Sequence, residues 1–285
     1  MKGPAYLFSR TTGAWKTVER RLRSAHCIAL FLDYDGTLTP IRRTPSSPVP
    51  SPKAQNALRC IARLPNVRVT MVTGRELQSI RNVLPLENIW FAANHGFHIL
   101  QNGSEWIHPV AASIVPKLGQ LYSVLRIALK DIPGAFIENK LFTLSVHYRN
   151  VDARKAGKVI ALTKSIVRSY GSSLLLTGGK KVLEVRPNVR WGKGDAALKI
   201  FNALKPSGRA LPLCIGDDKS DEDVFRALRS KGITVRVGKN RRTRAQYYVR
   251  NVEEALQLLK RIELLGAPVS EDRRQFFKPR MRMQL

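Results

Sequence analysis

Short apolar runs recur along the chain, and each ends in polar or charged residues. Residues 27–32 (CIALFL) run into Asp33. Residues 67–72, apolar except for Arg68 and Thr70, run into Thr73-Gly74-Arg75. Residues 89–93 (IWFAA) precede Asn94-His95-Gly96, and 211–215 (LPLCI) precede Gly216-Asp217-Asp218. Runs of this length bounded by turn residues read as buried strands. Helical stretches lie between them, over 52–63, 76–84, 194–204, 221–230 and 252–265, with a further strand over 234–237. The first of these opens on Ser51-Pro52, proline being favoured at the first helical position. Strand alternating with helix predicts an α/β fold, a Rossmann-like parallel sheet with helices on both faces. Residues 14–23 also read as helical, inside a basic N-terminal segment (1–26).

The pattern changes after Gly103. A helix is expected over 111–130, interrupted near Pro116. Residues 135–139 and 142–149 alternate like a hairpin pair, and a helix spans 152–170. Strands at 173–177 and 181–186 flank Gly178-Gly179, a favoured two-residue hairpin turn. An inserted, mostly antiparallel α/β domain is therefore expected over 103–186. It would divide the core into 27–102 and 187–266. The proline-rich stretch 40–52 reads as a loop. The tail 267–285 is basic and reads as loose, with Phe276-Phe277 able to anchor it.

The strand ends carry the chemistry. Asp33 and Asp35 lie two apart, and Gly36-Thr37 turns the chain away. Charge is thus delivered to the C-terminal edge of a sheet, where open α/β folds bind ligands. A carboxylate there can be a nucleophile, a metal ligand or an acid/base, although Asp-Gly is also a common turn pair. Asp217, Asp218, Asp221, Glu222 and Asp223 crowd seven positions. Their mutual repulsion calls for a compensating cation, and Mg2+ prefers oxygen ligands. Asp221 and Glu222 also suit a helix start. Thr73 brings a hydroxyl to the same edge, with helix initiation as its alternative use. Arg75 adds a guanidinium that can bind substrate. Lys193, between Gly192 and Gly194, adds a compact positive charge.

Composition narrows the class. Forty-nine Lys and Arg against 21 Asp and Glu give a net charge of +28 over 285 residues. That invites a nucleic-acid reading. Yet the basic residues are scattered, with local runs only at 239–244 and 273–282. No zinc finger, GXXG clamp or RNP-like aromatic pair is present, so specific nucleic-acid binding is not expected. The charge favours anionic substrates. No run is long enough to span a membrane. The N-terminus lacks a secretory signal, so a cytoplasmic protein is expected. Cys27, Cys60 and Cys214 lie far apart at apolar positions and suit reduced core packing.

In order along the chain, Asp33-Tyr34-Asp35-Gly36-Thr37, Thr73-Gly74-Arg75, Lys193 and the run from Gly216 to Asp223 resemble the haloacid dehalogenase superfamily. Four further segments narrow the resemblance to trehalose-6-phosphate phosphatases. They are residues 34–41 (YDGTLTPI), Asn94-His95-Gly96, the segment from Glu138-Asn139-Lys140 to His147-Tyr148-Arg149, and residues 183–187 (LEVRP). Departures are mild: Ser220 and Val224 in the acidic motif, and Phe97-His98 where Ala-Glu is frequent. The resemblance implies a cap domain over 103–186 and Mg2+-dependent hydrolysis of trehalose 6-phosphate through an aspartyl-phosphate. It makes Asp33 the nucleophile and Asp35 the acid/base, whereas spacing alone shows two nearby carboxylates. Mg2+ would be held by Asp33, the backbone carbonyl of Asp35, and Asp217, with Asp218 and Asp221 organising them from behind. Thr73 and Lys193 would bind the phosphoryl oxygens. Glu138, Lys140 and Glu184 would hold the sugar, with Asn94, His95, His147 and Arg149 as further pocket residues. A monomer, a separate trehalose-6-phosphate synthase and no membrane partner are expected. Related substrates such as glucosyl-3-phosphoglycerate or sucrose phosphate stand as alternatives, as does a basic nucleic-acid-binding protein on this scaffold.

Overall fold

The computed structural model describes residues 3–40, 49–179, 181–204 and 210–265. The chain begins with β1 (Ala5–Tyr6), α1 (Ala14–Ser24), β2 (Cys27–Leu32), α2 (Pro52–Ala62), β3 (Val67–Val72), α3 (Leu77–Val83) and β4 (Ile89–Ala93). A 3-10 turn (Asn94–Gly96) leads into β5 (His98–Gln101) and β6 (Ser104–Ile107). Next come α4 (Pro109–Ser113), α5 (Val115–Leu129), β7 (Phe136–Asn139), β8 (Leu144–His147), α6 (Ala153–Ser169), β9 (Leu174–Gly178) and β10 (Val182–Pro187). The last part is α7 (Lys193–Ala203), β11 (Ala210–Gly216), α8 (Asp221–Leu228), β12 (Ile233–Val237), β13 (Tyr247–Val249) and α9 (Val252–Leu264).

Two sheets result. The larger runs β1-β13-β12-β11-β2-β3-β4-β5-β6, and the smaller β7-β8-β10-β9. From β1 to β4 every pairing is parallel, while β5 and β6 join antiparallel. The central strand β2 is buried at all six residues, because both its faces are covered, as a parallel sheet requires. Ile28, Leu30 and Leu32 pack with Leu58 and Ile61 of α2 and Leu258 and Leu259 of α9. Ala29 and Phe31 face the other way, onto Ala196, Ile200 and Phe201 of α7 and Val224 and Phe225 of α8. The smaller sheet is antiparallel throughout. Leu118, Leu121 and Leu125, one stripe of α5, and Val159 of α6 pack with its Leu144, Val146 and Val185.

Three expectations change. The N-terminal segment is part of the core: β1 pairs with β13, and Val18 and Leu22 of α1, four apart on one face, join the main hydrophobic cluster. The boundary expected at 102/103 falls on the turn between β5 and β6, which both belong to the larger sheet. Asn102 and Gly103 take φ of 48° and 80°, the two positive values of a tight hairpin turn, so the smaller sheet's segment begins after Ile107. Gly178 is a strand residue paired with Leu183, and the turn lies beyond it, closed by Gly179 N–H on the Val182 carbonyl at 2.8 Å. Residues 41–48 of the proline-rich loop and the tail 267–285, with Phe276-Phe277, lie outside the described residues. The three cysteines are free thiols. Among the described residues no helix is long and apolar enough to cross a membrane.

Candidate active site

Asp33 extends the β2–β11 ladder by one bond, donating its N–H to the Ile215 carbonyl at 3.0 Å. Its side chain therefore emerges at the C-terminal edge, next to the end of β11. The chain then turns tightly: the Tyr34 carbonyl accepts the N–H groups of Thr37, Leu38 and Thr39. Gly36 takes φ 84°, and a Cβ there would lie 2.3 Å from Oδ2 of Asp217. Glycine is needed both for the turn and to let the two acidic loops meet. Thr37 Oγ1 donates to Asp33 Oδ2 at 3.3 Å.

Lys193, the first residue of α7, is buried and reaches across. Its Nζ lies 2.8 Å from Asp33 Oδ1 and 2.9 Å from Asp221 Oδ1. Its neighbour Gly194 lets α7 approach α8, since a Cβ would come within 2.6 Å of the Asp223 carbonyl. Burial, and then the nearby Asp221, push the pKa of Asp33 well up, with Lys193 opposing. Burial works against the charge on Lys193, but Asp221 and Asp33 more than reverse it and keep the ammonium protonated. Asp218 behaves differently. Burial would raise its pKa, yet Lys193 and the donors of Ser220 hold it at about 2.

Oxygens of Asp33, Asp217 and Asp221 all lie within 4.8 Å of one another. Three carboxylates against one ammonium leave excess negative charge, and an all-oxygen donor set fits a hard divalent cation such as Mg2+. The sequence placed Asp221 behind the ligands; the structure brings it into the trio. Both of its oxygens are also engaged, Oδ1 by Lys193 and Oδ2 by the N–H groups of Asp217 and Asp218 at 3.0 and 3.1 Å. Asp35, expected as the acid/base, stands apart from Asp33. Its carboxylate is outside the trio and is clamped by Arg75 at 2.7 Å. Thr73 is buried, and its Oγ1 accepts the Arg75 N–H at 3.2 Å, the helix-entry use that the sequence left open.

A second charged cluster stands on the smaller sheet. Glu138, Ser145 and Glu184 are direct partners across β7, β8 and β10. Lys140 Nζ lies 3.4 Å from Glu184 and 3.9 Å from Glu138. His147 closes one end at 3.0 Å from Glu138, and His95 of the larger sheet's 3-10 turn closes the other at 3.3 Å from Glu184. Burial pushes the Glu184 carboxyl up, but Lys140, His95 and the Ser145 hydroxyl hold it well below its usual range. Glu138 is likewise lowered against burial, by His147 and Lys140. Asn94, fully buried, accepts the Thr143 hydroxyl at 3.4 Å. The 3-10 turn thus touches β10 through His95 and the connection before β8 through Asn94. Its residues Asn94, His95 and Gly96 all have positive φ, and the His95 ring sits over Gly74, where a Cβ would lie 2.6 Å away. Arg149 does not continue the alternation of His147, because β8 ends at His147 and the chain turns with Arg149 exposed. Ser145 and Thr143 were not singled out from the sequence. Ser145 has the same parity as His147, which is the signal that marks it.

A parallel sheet with an acidic trio and a buried lysine at its C-terminal edge, and a four-stranded insertion above, defines a haloacid dehalogenase fold. The sequence profile of the trehalose-phosphatase family matches residues 31–253, and the chain belongs to that family. It is 32% identical over 251 residues to trehalose-phosphate phosphatase B of Arabidopsis thaliana, covering 82% of this chain and 66% of that protein. It is 34% identical over 243 residues to probable trehalose-phosphate phosphatase 4 of Oryza sativa subsp. japonica, covering 82% and 65%. The chain thus spans just under two thirds of the length of these relatives. A crystal structure of a trehalose-6-phosphate phosphatase related protein superposes with a TM-score of 0.74 at 27% identity, covering 84% of this chain and 98% of that one.

Proposed function

We propose that the chain is a phosphomonoesterase that hydrolyses trehalose 6-phosphate to trehalose and phosphate. The observation that carries this reading is the pairing of two clusters of different chemistry. One is the acid–lysine set at the sheet edge, suited to phosphoryl transfer. The other is the Glu138–Lys140–Glu184 set, rich in acceptors and donors for sugar hydroxyls. His95 joins them: it pairs with Glu184, and its ring sits over Gly74, next to Thr73 at the sheet edge.

Asp33 attacks phosphorus and forms the aspartyl-phosphate. Lys193 offsets the charge that gathers on the phosphoryl oxygens, and Thr73 stands at the neighbouring strand end. Asp35 gives a proton to the leaving sugar oxygen, then accepts one from the water that cleaves the intermediate. Mg2+, held by Asp33, Asp217 and the Asp35 carbonyl, would neutralise phosphoryl charge when bound. Chelator-treated protein is expected to lose activity and recover it with Mg2+; full activity after exhaustive metal removal would count against this part of the reading.

Two experiments test the substrate. Purified protein is expected to release phosphate fastest from trehalose 6-phosphate in a panel that includes sucrose phosphate and glucosyl-3-phosphoglycerate. A different leader in that panel replaces the substrate assignment. Glu138→Ala is expected to lower kcat/KM for trehalose 6-phosphate far more than for a small aryl phosphate, because the acid trio stays intact. Equal losses on both would move Glu138 from sugar recognition to support of the fold.

A further inference from the structure

Arg75 was expected at the substrate. The structure gives its guanidinium to Asp35. Nε donates to Oδ2 and Nη2 to Oδ1, both at 2.7 Å. Such a fork fixes both carboxylate oxygens and with them the plane of the group. The guanidinium also stands 5.0 Å above the ring of Tyr34, which is fully buried. The Arg75 side chain is 14% exposed, against 42% for Asp35, so a partly buried cation anchors a more exposed acid. The Arg75 backbone is held as well. Its N–H donates to Thr73 Oγ1, and its carbonyl accepts the Asn94 N–H at 2.7 Å.

We infer that Arg75 is a positioning residue for the acid/base step: its fork aims the Asp35 carboxyl at the oxygen of the leaving group. This rests on the phosphatase reading above. A sugar alkoxide leaves poorly and needs a proton as its bond to phosphorus breaks. The bonding electron pair goes to the bridging oxygen, the Asp35 proton goes to the same atom, and Asp35 is left as a carboxylate. Water then returns a proton to Asp35 as it attacks the aspartyl-phosphate. An unclamped carboxylate at this half-exposed position would spend little time aligned for either transfer. The fork must release one oxygen for the donation.

The test uses the full chain, with Arg75→Ala and Arg75→Lys, on a series of aryl phosphates of rising leaving-group pKa and one small alkyl phosphate. The loss in kcat/KM is expected to grow along the series. It should be about 10²-fold greater for the alkyl ester than for the best aryl leaving group, the lower end of what a positioned general acid contributes. Lysine keeps the charge but not the fork, so R75K is expected to show the same trend. It also carries the test if R75A fails to fold. A uniform loss along the series would assign Arg75 to phosphoryl binding or to the fold, and a flat dependence restored by lysine would show that charge alone suffices. Either result overturns the proposal. Wild-type protein inactive on every ester would instead sink the underlying phosphatase reading.

Discussion

Asp33→Asn is expected to lower phosphate release by roughly 10⁴-fold or more, the scale on which removal of a nucleophile is felt. The amide matches the carboxylate in size but cannot attack phosphorus. The substitution should spare the fold. Asp33 is buried and its pKa is already pushed well up by burial and by Asp221, so the charge removed is one the protein holds against cost. Lys193 keeps its contact with Asp221 at 2.9 Å. A thermal midpoint at or above that of the wild type, beside lost turnover, is therefore the expected pair of results. Near-wild-type activity would remove Asp33 from the chemistry.

Lys193→Met is expected to damage both activity and stability. The side chain is 3% exposed and serves two buried carboxylates. Breaking a buried pair by removing one partner costs about 3–5 kcal/mol, because the remaining charge is left uncompensated. The sign of the pH dependence follows from the raised pKa values of Asp33 and Asp221. A carboxyl whose folded pKa is raised adds stability below its unfolded pKa of about 3.9 and loses it as pH rises through the folded value. Without Lys193 these values rise further. In metal-free protein the stability gap between variant and wild type should thus be wide at neutral pH and narrow toward pH ~4. Denaturant unfolding at several pH values measures it. A gap independent of pH would mean that Lys193 acts through packing alone.

The parts of this molecule that were legible in the sequence are those with strong local patterns. The strands 27–32, 67–72 and 89–93 coincide with β2, β3 and β4, since a buried parallel strand is mostly apolar and its polar end is abrupt. β1 and β13, two and three residues long, are too short to show a period, and they exist because each pairs with a neighbour. The hairpin β5–β6 did leave a signal, Asn102-Gly103 between alternating residues, but the same pair also suits a domain junction. At the site, Asp33, Lys193 and Asp217 could be read from position alone. The fork between Arg75 and Asp35 could not, because it joins two strand ends 40 residues apart. Nor could the entry of Asp221 into the acidic trio. That depends on its carboxylate folding back, from the first turn of α8, onto the N–H groups of Asp217 and Asp218.

The most direct test is rapid acid quenching of Asp35→Asn protein with a small aryl phosphate radiolabelled at phosphorus, whose leaving group departs without a proton, followed by peptide mapping. Weakening the acid/base should slow cleavage of the intermediate and let label collect on the protein. The account predicts acid-stable, alkali-labile label on the peptide that contains Asp33, and none when Asp33 is also replaced by asparagine. Label on another residue, or turnover of the aryl ester with no labelled protein at any quench time, would contradict it.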